Sequence, residues 1–287
     1  MKLTREYDFM ARKLRQFFQE RKGFIEVPAQ SRLSILAACE DPKTITQYLL
    51  GGVLYPSPQT GQMWLEHEIL QNPQWPGVFC MTTSYRDEPN PIEGRHYRIF
   101  PMFEFEAKGD FDDMKRLEAE LLVHLGFQKP YSISYMEACC KYNTTSIEAQ
   151  HELLMEKELG SSIGLEYFPE STNPFWNMKH KEGALYNKID VLLHGMETIG
   201  SAERETDTDR MLHRFHTIEE GKYSALLFSK FGKERVMAEL ETYLALPMFK
   251  RFGAGIGMTR LERAMRLEGI FNRASENSSC QEQVACI

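Results

Sequence analysis

The sequence predicts an α+β domain built around a largely antiparallel sheet. Residues 78–86 and 99–107 read as two strands joined by a polar loop, and a second pair, near 186–193 and 196–203, flanks His194-Gly195. Helical periodicity brackets these pairs, at 4–22, 112–125 and 258–268, instead of alternating with single strands as a parallel sheet would require.

Taken in order, Tyr7, Met10, Leu14, Phe17 and Phe18 recur at three- and four-residue steps and predict an amphipathic helix over 4–22, with Gly23 placed to cap it. A short strand, Phe24 to Val27, then stops at Pro28. Residues 29–65 are mixed, with turn signals at Gly51-Gly52 and from Pro56 to Gly61. The strand at 99–107 alternates Phe103 and Phe105 with Glu104 and Glu106. Met114, Leu117, Leu121 and Leu125 form one face of the helix at 112–125. The stretch 130–180 carries little pattern beyond a helix near 146–158. Helices are expected near 206–230 and 233–243, and Gly253 to Gly257 reads as a glycine-rich strand or turn entering the final helix. Residues 274–287 read as a solvated tail, which leaves 1–273 as one domain.

The 287 residues are 42% hydrophobic and 26% charged, the balance of a globular protein. No segment approaches the roughly 20 apolar residues of a membrane helix, and the charged N-terminus lacks an apolar signal core, so a cytoplasmic protein is expected. The net charge of −7, with basic residues scattered, argues against a large nucleic-acid footprint. The six cysteines form no Cys-x-x-Cys pair and point to reduced thiols instead of a zinc site.

Four patterns carry candidate chemistry. The first is Tyr85-Arg86-Asp87-Glu88, leading into a loop with Arg95, His96 and Arg98 and then Phe100. Guanidinium forks suit phosphates and an aromatic face suits a base, although a solvated charged hairpin has the same composition. The second is Asp190 and Glu197, on either side of His194-Gly195. A bend there brings two hard carboxylates together, the ligand type for Mg2+ on nucleotide phosphates. The third is Gly200-Ser201-Ala202-Glu203-Arg204-Glu205, where small residues allow close approach and Arg204 is either an anion receptor or a surface arginine. The fourth is Gly253 to Arg260. It is neither a Walker loop nor a dinucleotide fingerprint, but it offers a flat backbone followed by an arginine at a helix start.

In this order the patterns resemble the signature motifs of class II aminoacyl-tRNA synthetases. The opening helix and the strand ending at Pro28 resemble motif 1, residues 85–106 motif 2 and Gly253 to Arg260 motif 3, so the likeness covers about residues 4–268. Residues 197–205 are similar to the Gly-Glu-x-x-Gly-Gly-Ser-x-Arg-Glu pattern of the aspartyl and asparaginyl enzymes. The resemblance implies the catalytic fold of that class, an antiparallel sheet flanked by helices. It implies an ATP site in which Arg86 holds the α-phosphate, Glu88 faces the adenine amino group, His96 approaches the outer phosphates and Phe100 stacks on adenine. Gly257 and Arg260 complete that site, with Arg260 on the other adenine face. Asp190 and Glu197 would bind Mg2+ with the ATP. Arg204 would read a substrate carboxylate, Glu40 would receive the amino group and Gln59 would be the neighbouring substrate-binding glutamine. Arg86 and Arg260 would be the catalytic pair.

The sequence departs from the pattern at Thr259, where motif 3 carries an acid, at Ile99, where motif 2 carries Glu, and after Gln59, where an expected lysine is missing and Gln62 and His67 stand nearby instead. Motif 1 begins near residue 4, without an anticodon-binding barrel before it, and the segment from Pro174 to Glu205 is similar to stand-alone asparagine synthetases. The resemblance therefore implies a ligase that activates aspartate, or a similar amino acid, as an acyl-adenylate and passes it to ammonia. The acceptor could instead be tRNA or another amine, and an inactive regulatory paralogue is a third reading that retention of Arg86, Glu88, Asp190, Glu197 and Arg260 disfavours. Motif 1 implies a homodimer. To form free asparagine the substrate must turn its β-carboxylate toward the α-phosphate, and Ile99 and Gln62 are where such a reversal would originate.

Overall fold

A computed structural model describes residues 5–29, 34–36 and 40–272. The tail expected at 274–287 and Cys39, Cys280 and Cys286 lie outside the described residues. Helix α1 (Arg5–Arg15) passes into a wider-wound turn, Gln16–Arg21, and Gly23 at φ 71° releases the chain into β1 (Ile25–Glu26). A hairpin follows, β2 (Gln47–Leu50) and β3 (Val53–Pro56), turning at Gly51-Gly52. Next come α2 (Gln62–Gln71), β4 (Gly77–Tyr85), β5 (Ile99–Lys108), α3 (Phe111–Leu125), β6 (Tyr131–Ser134), α4 (Tyr135–Lys141), α5 (Ala149–Leu159) and β7 (Ser162–Pro169). The chain ends with β8 (Leu185–Leu193), β9 (Glu197–Glu203), α6 (Thr208–Thr217), α7 (Lys222–Phe231), α8 (Lys233–Leu244), β10 (Arg251–Gly257) and α9 (Met258–Leu267).

Eight strands form one sheet in the order β1-β4-β5-β10-β9-β8-β7-β6. Its interior pairs are antiparallel, while the edge strands β1 and β6 run parallel to β4 and β7. This is the α+β class and the antiparallel sheet that the sequence predicts. The late strand β10 enters between β5 and β9, so Gly255 stands opposite Glu104 on one side and Gly200 on the other. That insertion joins three segments far apart in the chain into one surface.

Period-two alternation gives each strand two different faces. Phe103 and Phe105 of β5, Phe252, Ala254 and Ile256 of β10, and Ile199 of β9 enter a core with α1, α3 and α9. The opposite face carries Met102, Glu104 and Glu106, the glycines of β10, and a second apolar cluster formed by α2, α6, α7 and α8 around Trp176. Glu104 and Glu106 are fully buried. Glu104 accepts from the Thr60 and Thr82 hydroxyls and, at 2.7 Å, from the Gly61 N–H, which satisfies a carboxylate that burial would otherwise leave costly.

Three expectations need correction. The helix near 206–230 is two helices, because Ile218–Gly221 breaks it with Glu219 and Glu220 in the left-handed region. The break lets Phe215 and Tyr223 both pack edge-on, at 5.7 Å, near Trp176. The opening strand shrinks to two residues. The stretch 130–180 holds β6, α4 and β7. Most of β7 is buried on both faces, so it shows no alternation to read.

Candidate active site

The site is built on the face of the sheet where β10, after Arg251 at its start, carries only glycines. Gly253, Gly255 and Gly257 share that face, with Phe252, Ala254 and Ile256 beneath. A Cβ on Gly255 would lie 2.9 Å from Met102 Cε and 3.1 Å from Gln62 Nε2, and one on Gly253 would lie 1.7 Å from Glu106 Oε2. Only glycine leaves the backbone itself as the floor. The result is a cleft of about 190 Å³ whose lining includes Arg86, Glu88, His96, Phe100, Glu197, Gly257 and Arg260. These seven are the residues the sequence reading assigns to the nucleotide, and Arg95, Met102 and Thr259 join them.

Arg86 follows β4 directly. Its backbone N–H donates to Arg98 O at 2.8 Å, which closes the base of the loop. Its Nη2 lies 2.6 Å from Glu40 Oε2, and its guanidinium carbon lies 5.8 Å from the Phe100 ring centroid. Arg260, in the first turn of α9, donates to the Glu197 carbonyl at 2.8 Å and lies 3.4 Å from its carboxylate. The His96 ring is shifted below the ordinary histidine range by partial burial and by the nearby Arg260 cation. The site therefore sets two arginines around a floor that carries no side chains, an arrangement able to hold a polyphosphate and stabilise charge that builds on it.

The two carboxylates assigned to a metal come together. Asp190 and Glu197 flank Gly200, whose added Cβ would lie 3.7 Å from Asp190 Oδ1 and 3.3 Å from Glu197 Oε1. Burial, with Glu197 adjoining, pushes the Asp190 carboxyl up to about 7. Burial would raise Glu197 as well, but the Arg260 cation and its neighbours outweigh it and hold the group low. Two oxygen donors beside a phosphate site fit Mg2+, which takes one or two carboxylates and completes its shell with phosphates and water. The sequence reading did not anticipate Lys188, whose Nζ lies 2.7 Å from both Asp190 oxygens.

Arg204 follows β9 and is only 2% exposed. It lies beside Gly253, nearer the start of β10 than the cleft-lining Gly255 and Gly257. Its Nε and Nη2 donate to Glu106, Nη2 also donates to Gln62 Oε1, and Nε lies 3.6 Å from Glu66. Glu66 in turn accepts from Arg251, at 2.6 Å, and from the Tyr243 hydroxyl. Burial and the adjoining Glu66 push Glu106 up to about 7 despite the Arg204 cation. The predicted receptor is thus an arginine already held by internal acids, a network that no local pattern in the sequence signals.

The remaining assignments divide. Glu40 reaches the cleft rim through Arg86. Gln59 is fully buried and its amide is occupied: Oε1 accepts from the N–H of Glu40 and of Asp41, and Nε2 donates to Asp41 O and to the Thr44 hydroxyl. In this structure it shapes the Glu40 loop and does not line the cleft. Gln62 touches Arg204, whereas Ile99, 61% exposed, opens β5 opposite Tyr85. His67 lines a separate pocket with Trp64 and Tyr243. Glu152 of α5 is a further residue without a sequence signal; it grips Arg95 of the loop at 2.6 Å in a largely buried pair.

The sequence matches the class II tRNA synthetases (D, K and N) over residues 5–269. The chain belongs to this family. Its fold is similar to asparaginyl-tRNA synthetase from Pyrococcus horikoshii, solved with asparaginyl-adenylate, at TM-score 0.74 and 20% identity over 92% of this chain and 65% of that one. It is similar also to the Entamoeba histolytica asparaginyl-tRNA synthetase, at TM-score 0.66, 18% identity and coverage of 90% and 62%. A putative aspartyl-tRNA synthetase from Leishmania major Friedlin gives TM-score 0.67, 17% identity and coverage of 91% and 61%. No curated protein sequence matches. This class II chain spans less than two thirds of these neighbours' lengths. Among the described residues it has the synthetase catalytic fold without a separate anticodon-binding barrel, and no helix is long and apolar enough to cross a membrane. The family is one of ATP-dependent ligases.

Proposed function

We propose that this class II ligase activates aspartate, or a close analogue, as an acyl-adenylate and transfers the acyl group to ammonia to give asparagine. One observation carries the reading: Arg86 and Arg260 line a glycine-floored cleft together with Glu197, which faces Asp190 across Gly200, and Arg204 with Gln62 lies beside the glycine strand at Gly253 and Gly255. The amino acid carboxylate meets the α-phosphate near Arg86, and pyrophosphate leaves toward Arg260. Mg2+, held by Asp190 and Glu197, would supply charge neutralisation at the phosphates. The protein's part is positioning and electrostatic stabilisation, and no side chain need act as a nucleophile.

Arg204 and Gln62 would read the substrate's other carboxylate. The net charge of −7 supports a small acceptor over a polyanion. A tRNA acceptor is the second reading, favoured by the neighbours solved as tRNA synthetases. Pyrophosphate and AMP release, measured with ATP, Mg2+ and each amino acid, with ammonium or with tRNA, tests both. Free asparagine is the expected product. Aspartyl-tRNA, or isoasparagine from α-carboxylate activation, would replace this proposal with the second reading, and no pyrophosphate with any amino acid would end both.

A further inference from the structure

Lys188 and Asp190 lie two residues apart on β8, so strand alternation places both side chains on one face. The ammonium contacts both oxygens of the carboxylate at 2.7 Å. It also lies 3.6 Å from the centroid of the Phe168 ring. Phe168 arrives there through an irregularity in β7. The register slips between Glu166 and Phe168, and Tyr167 takes φ 60°, a conformation that an aromatic residue rarely adopts. The extra residue sends Tyr167 to stack on Phe111, at 4.7 Å, and leaves Phe168 on the side of Leu165 and Leu192. A strained residue in one strand thus sets an aromatic face against a cation in the next.

We infer that the ammonium of Lys188 stands in for a divalent cation at Asp190, so that an incoming metal ion finds one carboxylate to share, Glu197, instead of two. The inference rests on the proposed Mg2+ site beside Asp190 and Glu197, and it narrows the carboxylate ligands of that site to Glu197. Mg2+ takes a carboxylate oxygen at about 2.0–2.1 Å. Both Asp190 oxygens already face a fixed positive charge, and a second cation there would meet the repulsion of the first. The pair is part-neutralised before any metal arrives, so the ion is held mainly between Glu197 and the phosphates and enters with the nucleotide.

Mn2+ binding to the nucleotide-free full chain, followed by the electron paramagnetic resonance signal of the free ion, tests this. Lys188→Met keeps the stem of the side chain and should bind Mn2+ at least tenfold more tightly than the wild type. Lys188→Arg, which keeps the charge, should retain wild-type affinity, and Phe168→Leu should fall between. Equal affinity in wild type and Lys188→Met overturns the inference, as does tight binding by Lys188→Arg. If Lys188→Met does not fold, Phe168→Leu decides, and unchanged affinity there overturns it. Repeating the titration with a non-hydrolysable ATP analogue separates this from the proposed function: a persisting Mn2+ difference without analogue binding sinks the nucleotide reading and leaves the role of Lys188 standing.

Discussion

Arg204 and Glu106 meet as a forked pair beside the glycine strand, with Nε 3.1 Å from one carboxylate oxygen and Nη2 3.1 Å from the other, both side chains out of solvent. A residue expected to receive a substrate carboxylate therefore already holds one. The pair is part of the architecture before it can be part of recognition, and variants at either position will report on both.

Arg204→Leu should cost the protein about 3–5 kcal/mol of stability, because it takes the forked partner from the buried Glu106 carboxylate and one of two neighbouring cations from Glu66. Denaturant unfolding measures this directly. Combining it with Glu106→Gln should recover part of the loss, since the two positions are coupled, while aspartate-dependent pyrophosphate release stays absent. Wild-type stability in Arg204→Leu would contradict the buried pairing, and retained aspartate use in the double variant would contradict the receptor role.

Glu106 should make stability depend on pH. Burial and Glu66 raise its carboxyl to about 7 in the folded state, against an ordinary value of 4.5, with Arg204 and Arg251 opposing. Between these values the folded protein holds the proton that the unfolded chain releases, so stability falls as pH rises from 4.5 to 7 and the contribution is complete only below that window. Glu106→Gln removes the titrating group and should flatten this part of the profile. Parallel profiles for the two proteins would refute the assignment.

Gly253→Ala should destabilise the fold by about 1–3 kcal/mol. Its Cβ overlaps Glu106 Oε2 and comes within 2.7 Å of Arg204 Nη2, so the buried, mutually bonded pair must shift to admit it. Thermal unfolding checks this; an unchanged midpoint would mean that the Arg204–Glu106 pair relocates at no cost.

Arg86→Ala and Arg260→Ala should each lower pyrophosphate release by about 10²–10³-fold, the loss of one preorganised donor, with little change in unfolding midpoint because both side chains are partly exposed. Near-normal turnover in both would remove them from the nucleotide site.

The outer edge of β1 closes the sheet, and Ile25 there is 39% exposed. Covering this edge with a second copy would produce the expected homodimer. Sedimentation velocity should show a dimer that Ile25→Asp weakens at least tenfold; an active wild-type monomer would exclude it.

Much of this molecule is legible in its sequence because alternation and spacing are local. The pairing of β4 with β5, the bend at Gly195 that joins Asp190 to Glu197, and the flat glycine strand all follow from residues within a few positions of one another. What sequence does not disclose is what burial does to charge. Glu104 and Glu106 read as ordinary alternating acids, yet they are interior because α2 and two arginines cover that face. Gln59 carries a motif position, but its amide is consumed by the loop it supports. Glu152 enters the site through a contact between elements distant in the chain, which no periodicity marks, and Lys188, although alternation sets it beside Asp190, faces a Phe168 ring that only a bulge in the neighbouring strand delivers. The break at Glu219 and Glu220 falls in a polar run that is as compatible with helix as with a turn.

The bridge between Arg86 and Glu40 joins the proposed phosphate receptor to the proposed amino-group receptor. With those roles, neither ligand finds its partner released in the empty protein. Whichever arrives first must part the two side chains, and the second then meets a receptor already set loose. The free energy of opening is spent once and shared, so nucleotide and amino acid strengthen each other's binding, and thermodynamic reciprocity makes the factor identical in both directions. A single contact at the rim would thereby make the two substrates cooperative.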